Sequence, residues 1–337
     1  MSTLKVGGIR GVSASSDAIT VANDGTCTAN ATNIPRRNLF LNGALDVSQR
    51  GNSFSSANGY MADQWYVFAT GSTSSRLTTS PPDGFTHYIR FPSTSNSIII
   101  SQQIELEAQG KVGKYKGKTV TVSWYARSES SNTMYVDAAF KNASGGGDYT
   151  SIVAGSSSAQ SITSTWARYT QTFTISATPN ANNKCFSIMI RTPSGQNGTL
   201  ELTGFQAEFN SVATDFEHKS FSEEMNNCLR HYEQFNSNGQ GEAVFASGYF
   251  ESTGQGRYCL LYHRKRAAPT ITATAAASFM NLNTNSVPAA DTISILKQTE
   301  TGAEFRLTSS VGVDGQSCIL ASKEASTEAT IKISAEL

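Results

Sequence analysis

Apolar and polar residues alternate with a period of two through much of the chain, the spacing that places successive side chains on opposite faces of a strand. The clearest case is Thr119-Val-Thr-Val-Ser-Trp-Tyr125, where Val120, Val122 and Trp124 share one face. The same pattern predicts strands at Tyr88 to Phe91, Asn96 to Ile104, Thr133 to Phe140, Arg168 to Ile175, Cys185 to Arg191 and Thr199 to Phe209. Loops of Ser, Gly, Asn and Asp separate them, such as Ala143 to Asp148 and Thr192 to Gly198. Many short antiparallel strands with such spacers predict an all-β jelly roll or β-sandwich over residues 38–218.

A second set of alternating runs follows, at Ala243 to Glu251, Arg257 to His263, Thr270 to Thr274, Thr292 to Lys297, Glu304 to Ser309 and Thr330 to Ser334. They predict a smaller C-terminal β-sandwich over 237–337, since about 100 residues suffice for one. Between the two, segment 219–236 has helical spacing. Ser220 and Glu223 form a capping box, and Phe221, Met225, Cys228, Tyr232 and Phe235 recur at intervals of four and three, predicting one short helix from Phe221 to Phe235. Its apolar stripe suits packing on the preceding sandwich or on its own copies around an oligomer axis. Residues 1–37 carry too little apolar surface to fold alone. Their weak alternation (Leu4, Val6, Ile9, Ile19, Val21) predicts an extended segment that attaches to a partner or to neighbouring copies.

Composition narrows the functional classes. The 337 residues suit two domains at about 150 residues each. Lys plus Arg and Asp plus Glu are both 26, so no chain-wide field favours nucleic acid or an anionic membrane. Apolar stretches such as Ile98 to Ile100 fall far short of the roughly 20 residues of a membrane helix. Residues 1–10 lack the apolar core of a secretory signal. Five widely spaced cysteines without a C-x-x-C read as free thiols, with neither a disulfide framework nor a zinc site.

No catalytic signature surrounds the four histidines at 87, 218, 231 and 263. The carboxylate pairs Glu105/Glu107 and Glu201/Asp137 are conceivable for glycan hydrolysis, but spacing alone does not favour them over a solvated strand face. Basic clusters at Lys111 to Lys118 and His263 to Arg266 lie at strand ends, where charge protects edges or meets an acidic polysaccharide. Aromatic rings stack on sugar faces while polar neighbours take the hydroxyls, which makes Tyr149, Tyr249, Tyr258 and Tyr262, with Arg264, the glycan-binding candidates. No catalytic residue, metal or cofactor is expected.

Asn38-Leu-Phe-Leu-Asn-Gly-Ala-Leu-Asp-Val-Ser-Gln-Arg-Gly51 followed by Tyr60-Met-Ala-Asp-Gln-Trp65 resembles the opening of the carbohydrate-binding-module-like jelly roll of bacteriophage tail fibres, marine ones included. Gly117 to Arg127 and Trp166 to Thr170 resemble its central strands. Leu202 to Glu208 with Ala213 to Glu217 resemble its closing strand, and Glu223 to Tyr232 is similar to the element leading into a distal domain. Leu4 to Gly7 and Ala18 to Gly25 resemble the fibres' beginnings. The chain departs from the pattern at Asp215, where proline is common, and Gln64, where arginine is common.

The resemblance implies a virion protein, most often a homotrimer, made and assembled in the host cytoplasm. Its N-terminal segment would join other tail or virion proteins, and its β-domains would meet a bacterial surface glycan or other receptor, without nucleic acid or membrane insertion. It transfers no catalytic residues, and Trp65, Trp124, Trp166, Phe205 and Phe216 read as packing. The competing expectations are a tail depolymerase or esterase with its cleft between protomers, and a passive fibre or adaptor.

Overall fold

Among the described residues, the alternating segments become antiparallel strands arranged in five sheets. The computed structural model describes residues 6–12, 17, 19–21, 27–29, 37–54, 58–69, 73–92, 97–106, 115–130, 132–142, 149–153, 155–180, 182–195, 198–282, 292–310, 312–323 and 328–337. An N-terminal meander joins β1 (Gly8–Ile9), β2 (Ile19–Val21) and β3 (Cys27–Ala29). The larger unit contains β4 (Ser53–Phe54), β5 (Asn58–Tyr60), β6 (Tyr66–Ala69), β7 (Ser74–Leu77), β8 (Tyr88–Phe91), β9 (Ile98–Glu105) and β10 (Thr119–Ser128). It continues through β11 (Asn132–Lys141), β12 (Tyr149–Val153), β13 (Gln160–Ile162), β14 (Ala167–Thr174), β15 (Cys185–Arg191) and β16 (Leu200–Glu208). After helix α1 (Phe221–Leu229) come β17 (Tyr232–Asn236), β18 (Val244–Ser252), β19 (Gln255–Leu261), β20 (Thr270–Ala273) and β21 (Phe279–Leu282). The last are β22 (Thr292–Gln298), β23 (Gly302–Thr308), β24 (Ser317–Ser322) and β25 (Thr330–Ser334).

The larger unit is a jelly-roll sandwich. One sheet has the order β14-β10-β16-β8-β7-β4; the other has β12-β11-β15-β9-β6-β5, with β13 beside β11. Val120, Val122 and Trp124 from the first sheet meet Val136, Ile188 and Ile190 from the second in one continuous core. The opening motif closes this sandwich through two asparagines. Asn38 accepts from the amides of Phe40 and Ala207 and donates to Phe205 O, tying the motif to β16. Asn42 donates to Val47 O and Asp63 O, while its Oδ1 accepts from the Val47 amide. Both side chains are buried, and a buried amide is tolerated when its hydrogen bonds are met.

Trp65 is fully buried against Phe40 and Phe205, and Trp124 and Phe205 are core residues as expected from the sequence. Trp166 and Phe216 also pack, but outside the core. Trp166 is half-buried on the outer side of the first sheet, and Phe216 packs on Phe85 at 4.8 Å. Gly204 explains how Phe85 gets there: its φ is +62°, and a Cβ would stand 2.6 Å from the Phe85 ring. Gly204→Ala therefore combines backbone strain with a steric clash and should lower stability by about 1–3 kcal/mol in chemical denaturation.

Helix α1 is shorter than the apolar spacing suggests. Ser220 Oγ accepts from the Glu223 amide at 3.2 Å, as the capping box requires, but the helix ends at Leu229. Tyr232 and Phe235 instead lie on β17, paired with Ser334 and Ile331 of β25. Phe221 is 60% exposed, so the expected apolar stripe is interrupted at both ends. The partner that overrides the helical period is about 100 positions away along the chain, where local spacing cannot reveal it.

In the C-terminal unit, the sheet β17-β25-β20 covers one face of the sheet β21-β24-β18-β19-β23-β22 around Phe250, Phe305, Leu320 and Ile331. The two units meet at Arg50. Its guanidinium bonds Asp63 at 2.9 Å, pairs with Glu336, and lies 3.4 Å from the Tyr232 ring centroid. Burial pushes the Glu336 carboxyl up to about 8 against the pull of Arg50, and it also pushes up Asp63. Burial, reinforced by Arg266, Arg230 and Lys265, holds His231 down to about 3.

Glu336 binds its proton more tightly folded than unfolded, so stability falls as pH rises from about 4.5 through about 8. His231 does the reverse, and its contribution is lost as pH drops from about 6.5 toward 3. The two slopes oppose each other between about 4.5 and 6.5. Above that window, unfolding free energy should decline by at most about 1.4 kcal/mol per pH unit up to about pH 8. Glu336→Gln should flatten this limb in urea titrations at pH 6.5, 7.25 and 8, and an unchanged slope would refute the assignment.

Candidate functional site

Strands β11, β15 and β9 lie side by side in register, and every second side chain points away from the sandwich core. The outward residues are Tyr135, Asp137, Ala139 and Lys141 on β11, Cys185, Ser187, Met189 and Arg191 on β15, and Ser101, Gln103 and Glu105 on β9. Register puts Ser187 between Ala139 and Gln103, and Met189 between Asp137 and Ser101. Strand β6 extends the rows with Tyr66 beside Ser101 and the exposed Phe68 beside Ile99. The result is a largely buried row of polar groups with aromatic margins, at the strand spacing of about 4.8 Å.

Charge is neutralised at the borders of this face. Asp137 accepts from Arg191 Nη1 at 3.0 Å and from the Gly155 amide at 2.7 Å, and the Arg191 guanidinium lies 5.4 Å from the Tyr135 ring centroid. Glu105 accepts from Arg230 Nη2 at 3.1 Å, with Arg266 Nε 3.7 Å away. Lys141, whose ammonium burial pushes down, reaches Met189 Sδ at 3.4 Å, a span that passes Ala139 and Ser187. Burial pushes the Cys185 thiol up to about 11, so it stays protonated.

The middle of the face, beside the crossing Lys141 side chain, is under-satisfied. Gln103 Nε2 donates to Ser101 Oγ at 3.1 Å, and Ser101 Oγ in turn donates to Tyr66 O at 3.4 Å. Gln103 Oε1 and Ser187 Oγ, from adjacent register positions, are shielded and have no hydrogen-bond partner among the described residues. An orphaned buried polar atom costs about 1–3 kcal/mol unless something else meets it. Ser187 is fully buried and Gln103 nearly so, with the Lys141 side chain crossing the row, so hydroxyl groups of a ligand reach these atoms only when Lys141 swings aside. Among the described residues, no three His, Cys, Asp or Glu side chains cluster as a metal would require.

Residues 101–195 match the family model of a carbohydrate binding domain. The matched segment contains β9 from Ser101 onward, β11 and β15, and so carries the central rows of the face. No curated protein matches the chain. Among solved structures, the chain is similar to one described as "CBM4 structure and function", at 18% identity over 44% of this chain and 95% of that chain, TM-score 0.32. It is also similar to the N-terminal cellulose-binding domain of a β-1,4-glucanase C from Cellulomonas fimi, at 16% identity over 50% and 95%, TM-score 0.29. A third similarity is to the enzymatically active domain of tailspike protein 4 of bacteriophage CBA120, at 14% identity over 52% of this chain and 22% of that chain, TM-score 0.35.

The tyrosines singled out from the sequence do not converge. Tyr258 is 1% exposed, with its hydroxyl donated to Asn281 Oδ1, so its ring is core and closed to a sugar. Tyr262 is buried too, and its hydroxyl donates to Thr299 O and Gly302 O. Tyr249 is exposed opposite Arg257, while Arg264 is exposed and paired with Glu300 at 2.8 Å. Tyr149 opens β12 opposite Lys141 at the border of the polar face; its side chain lies outside the described residues.

Glu201 and Asp137 project from opposite sheets with the core between them and so cannot share a substrate, and Glu107 lies outside the described residues. In the N-terminal meander, Val6 and Ile9 are exposed and Ile19 and Val21 half-buried; Leu4 lies outside the described residues. Sequence reasoning overlooked Ser101, Gln103 and Ser187. Their signal was uncharged hydrogen-bonding residues at the outward positions of otherwise apolar strands.

Proposed function

We propose that the outer face of the β11-β15-β9 rows binds a glycan when the Lys141 side chain moves off the buried Ser187 and Gln103, and that the chain is a virion tail-fibre protein. The observation that carries the glycan reading is the adjacent pair of shielded, unpartnered acceptors, Gln103 Oε1 and Ser187 Oγ, on strands inside the matched carbohydrate binding segment. Sugar hydroxyls are donors of the right kind for both. The fibre reading is supported by the resemblance of Asn38 to Gly51, Tyr60 to Trp65 and the later motifs to phage fibre jelly rolls. It carries with it a homotrimer docked by residues 1–37, assembly in the host cytoplasm, and a distal receptor-binding role for residues 237–337. Weak sites on three linked chains would reinforce one another through effective concentration.

The test is a glycan array and a cell-binding assay with the full chain and with Gln103→Ala. Loss of one hydrogen bond to the sugar should weaken binding about tenfold, beyond any shift of the urea midpoint from the lost Gln103–Ser101 bond. Equal binding by both proteins would refute the face. A sedimentation mass three times that of the chain, and recovery of the protein from purified virions, would support the fibre assignment; a monomer absent from virions would overturn it.

A further inference from the structure

On the opposite sheet, one cross-strand row joins Arg90 of β8, Glu201 of β16 and Arg127 of β10 by direct register. Trp166, just before β14, continues the row, with the Arg127 guanidinium 4.9 Å from its ring centroid. Glu201, whose side chain is 4% exposed, accepts from Arg90 Nε at 2.7 Å and from Arg127 Nε. Both arginines therefore spend only their inner nitrogen on Glu201. Among the described residues, their four terminal nitrogens donate no hydrogen bond.

Arg90, Arg127 and Glu201 line a pocket of about 230 Å³ with Ser128, Glu129, Ser164 and Thr199. Its volume equals that of about eight waters, on the scale of a single small ring. Glu201 neutralises one guanidinium charge and fixes both forks, and the stacking of Arg127 on Trp166 fixes one of them further. Two positioned forks with unused parallel N–H groups fit a carboxylate, because planar bidentate pairing is where arginine gains most. Glu129, exposed at the rim, opposes an anion weakly through solvent.

We propose that this pocket is a second glycan subsite, on the face opposite the one above, that takes the carboxylate of a uronic-acid residue between Arg90 and Arg127. The choice of a sugar as carrier rests on the glycan reading of the chain; the carboxylate preference rests on the arginines alone. Ser164 at the pocket wall would meet the ring that carries the acid, while Trp166 acts through Arg127.

The test is calorimetry of the full chain with oligogalacturonate, a neutral β-1,4-glucan oligosaccharide, a sulfated oligosaccharide and sodium acetate as separate ligands. Oligogalacturonate should bind, weaken with salt, and lose about tenfold in affinity with Arg90→Gln, which leaves the Arg127–Glu201 pair intact. Arg127→Lys should weaken it similarly by losing the fork while keeping the charge, and Glu129→Gln should tighten it. Unchanged urea midpoints would separate these effects from misfolding. Neutral glycan binding without oligogalacturonate binding overturns the subsite and leaves the first face standing. Oligogalacturonate binding that Gln103→Ala abolishes and Arg90→Gln does not also overturns it. Tighter binding of the sulfated ligand overturns the carboxylate assignment. Acetate binding without any oligosaccharide binding overturns the sugar reading at both faces.

Discussion

Replacing Glu233 with alanine is expected to cost the C-terminal unit about 3–5 kcal/mol, one of the largest single-site effects available in the chain. The reason is Lys265, whose side chain is 0% exposed. Its ammonium donates to Glu233 Oε2 at 2.7 Å and to Leu229 O at 2.6 Å, the latter at the end of helix α1. Glu233 also receives the backbone amide and ring nitrogen of His263. Without the carboxylate, a buried cation keeps only a carbonyl and the edge of the Tyr262 environment, 5.5 Å from the ring centroid. The double variant Glu233→Leu with Lys265→Met should recover most of the loss, because it removes both charges from the low-dielectric site. Urea unfolding followed by circular dichroism measures both; a Glu233→Ala cost below about 1 kcal/mol would show the pair to be dispensable.

The second large effect belongs to the sandwich. Trp65→Ala should cost about 3–5 kcal/mol, the range for emptying a buried aromatic site. Trp65 packs at a tilt on Phe205 at 4.4 Å and edge-on with Phe40 at 5.0 Å, and its indole donates to Asn42 O at 2.9 Å. It thus pins the Asn42 hub to the core. Trp65→Phe keeps most of the packing but leaves Asn42 O without that donor, so its cost should be clearly smaller. Equal costs for the two substitutions would mean that the hydrogen bond, and not the ring volume, dominates.

The strands of the sandwich were legible because the two-residue period survives wherever one face is buried and the other is not. The predicted Thr133 to Phe140 and the observed Asn132–Lys141 show how closely alternation marks such a strand. Tyr258 and Tyr262 were also legible in principle, since they share a face with Leu260 along β19 while Arg257, Cys259 and Leu261 point outward. Reading them as ligand contacts gave aromatic chemistry more weight than strand parity. Helix α1 and β17 were not separable locally, because Tyr232 and Phe235 satisfy a helical spacing and only β25 makes them a strand. The polar face was hidden for a related reason. Gln103 and Ser187 are 84 residues apart in sequence, and only the β15–β9 register makes them neighbours.

The position of β25 also bears on how the protein is made. This strand lies between β17 and β20, so the sheet it centres is two unconnected ribbons until residues 330–334 arrive. The sandwich, by contrast, has all its strands once Glu208 has been added. On the ribosome, the first unit can close while the second is still being synthesised, and the second must wait with β17 and β20 unpaired. During that interval both edges of each strand are open to other nascent copies, and pairing with β25 leaves only one on each.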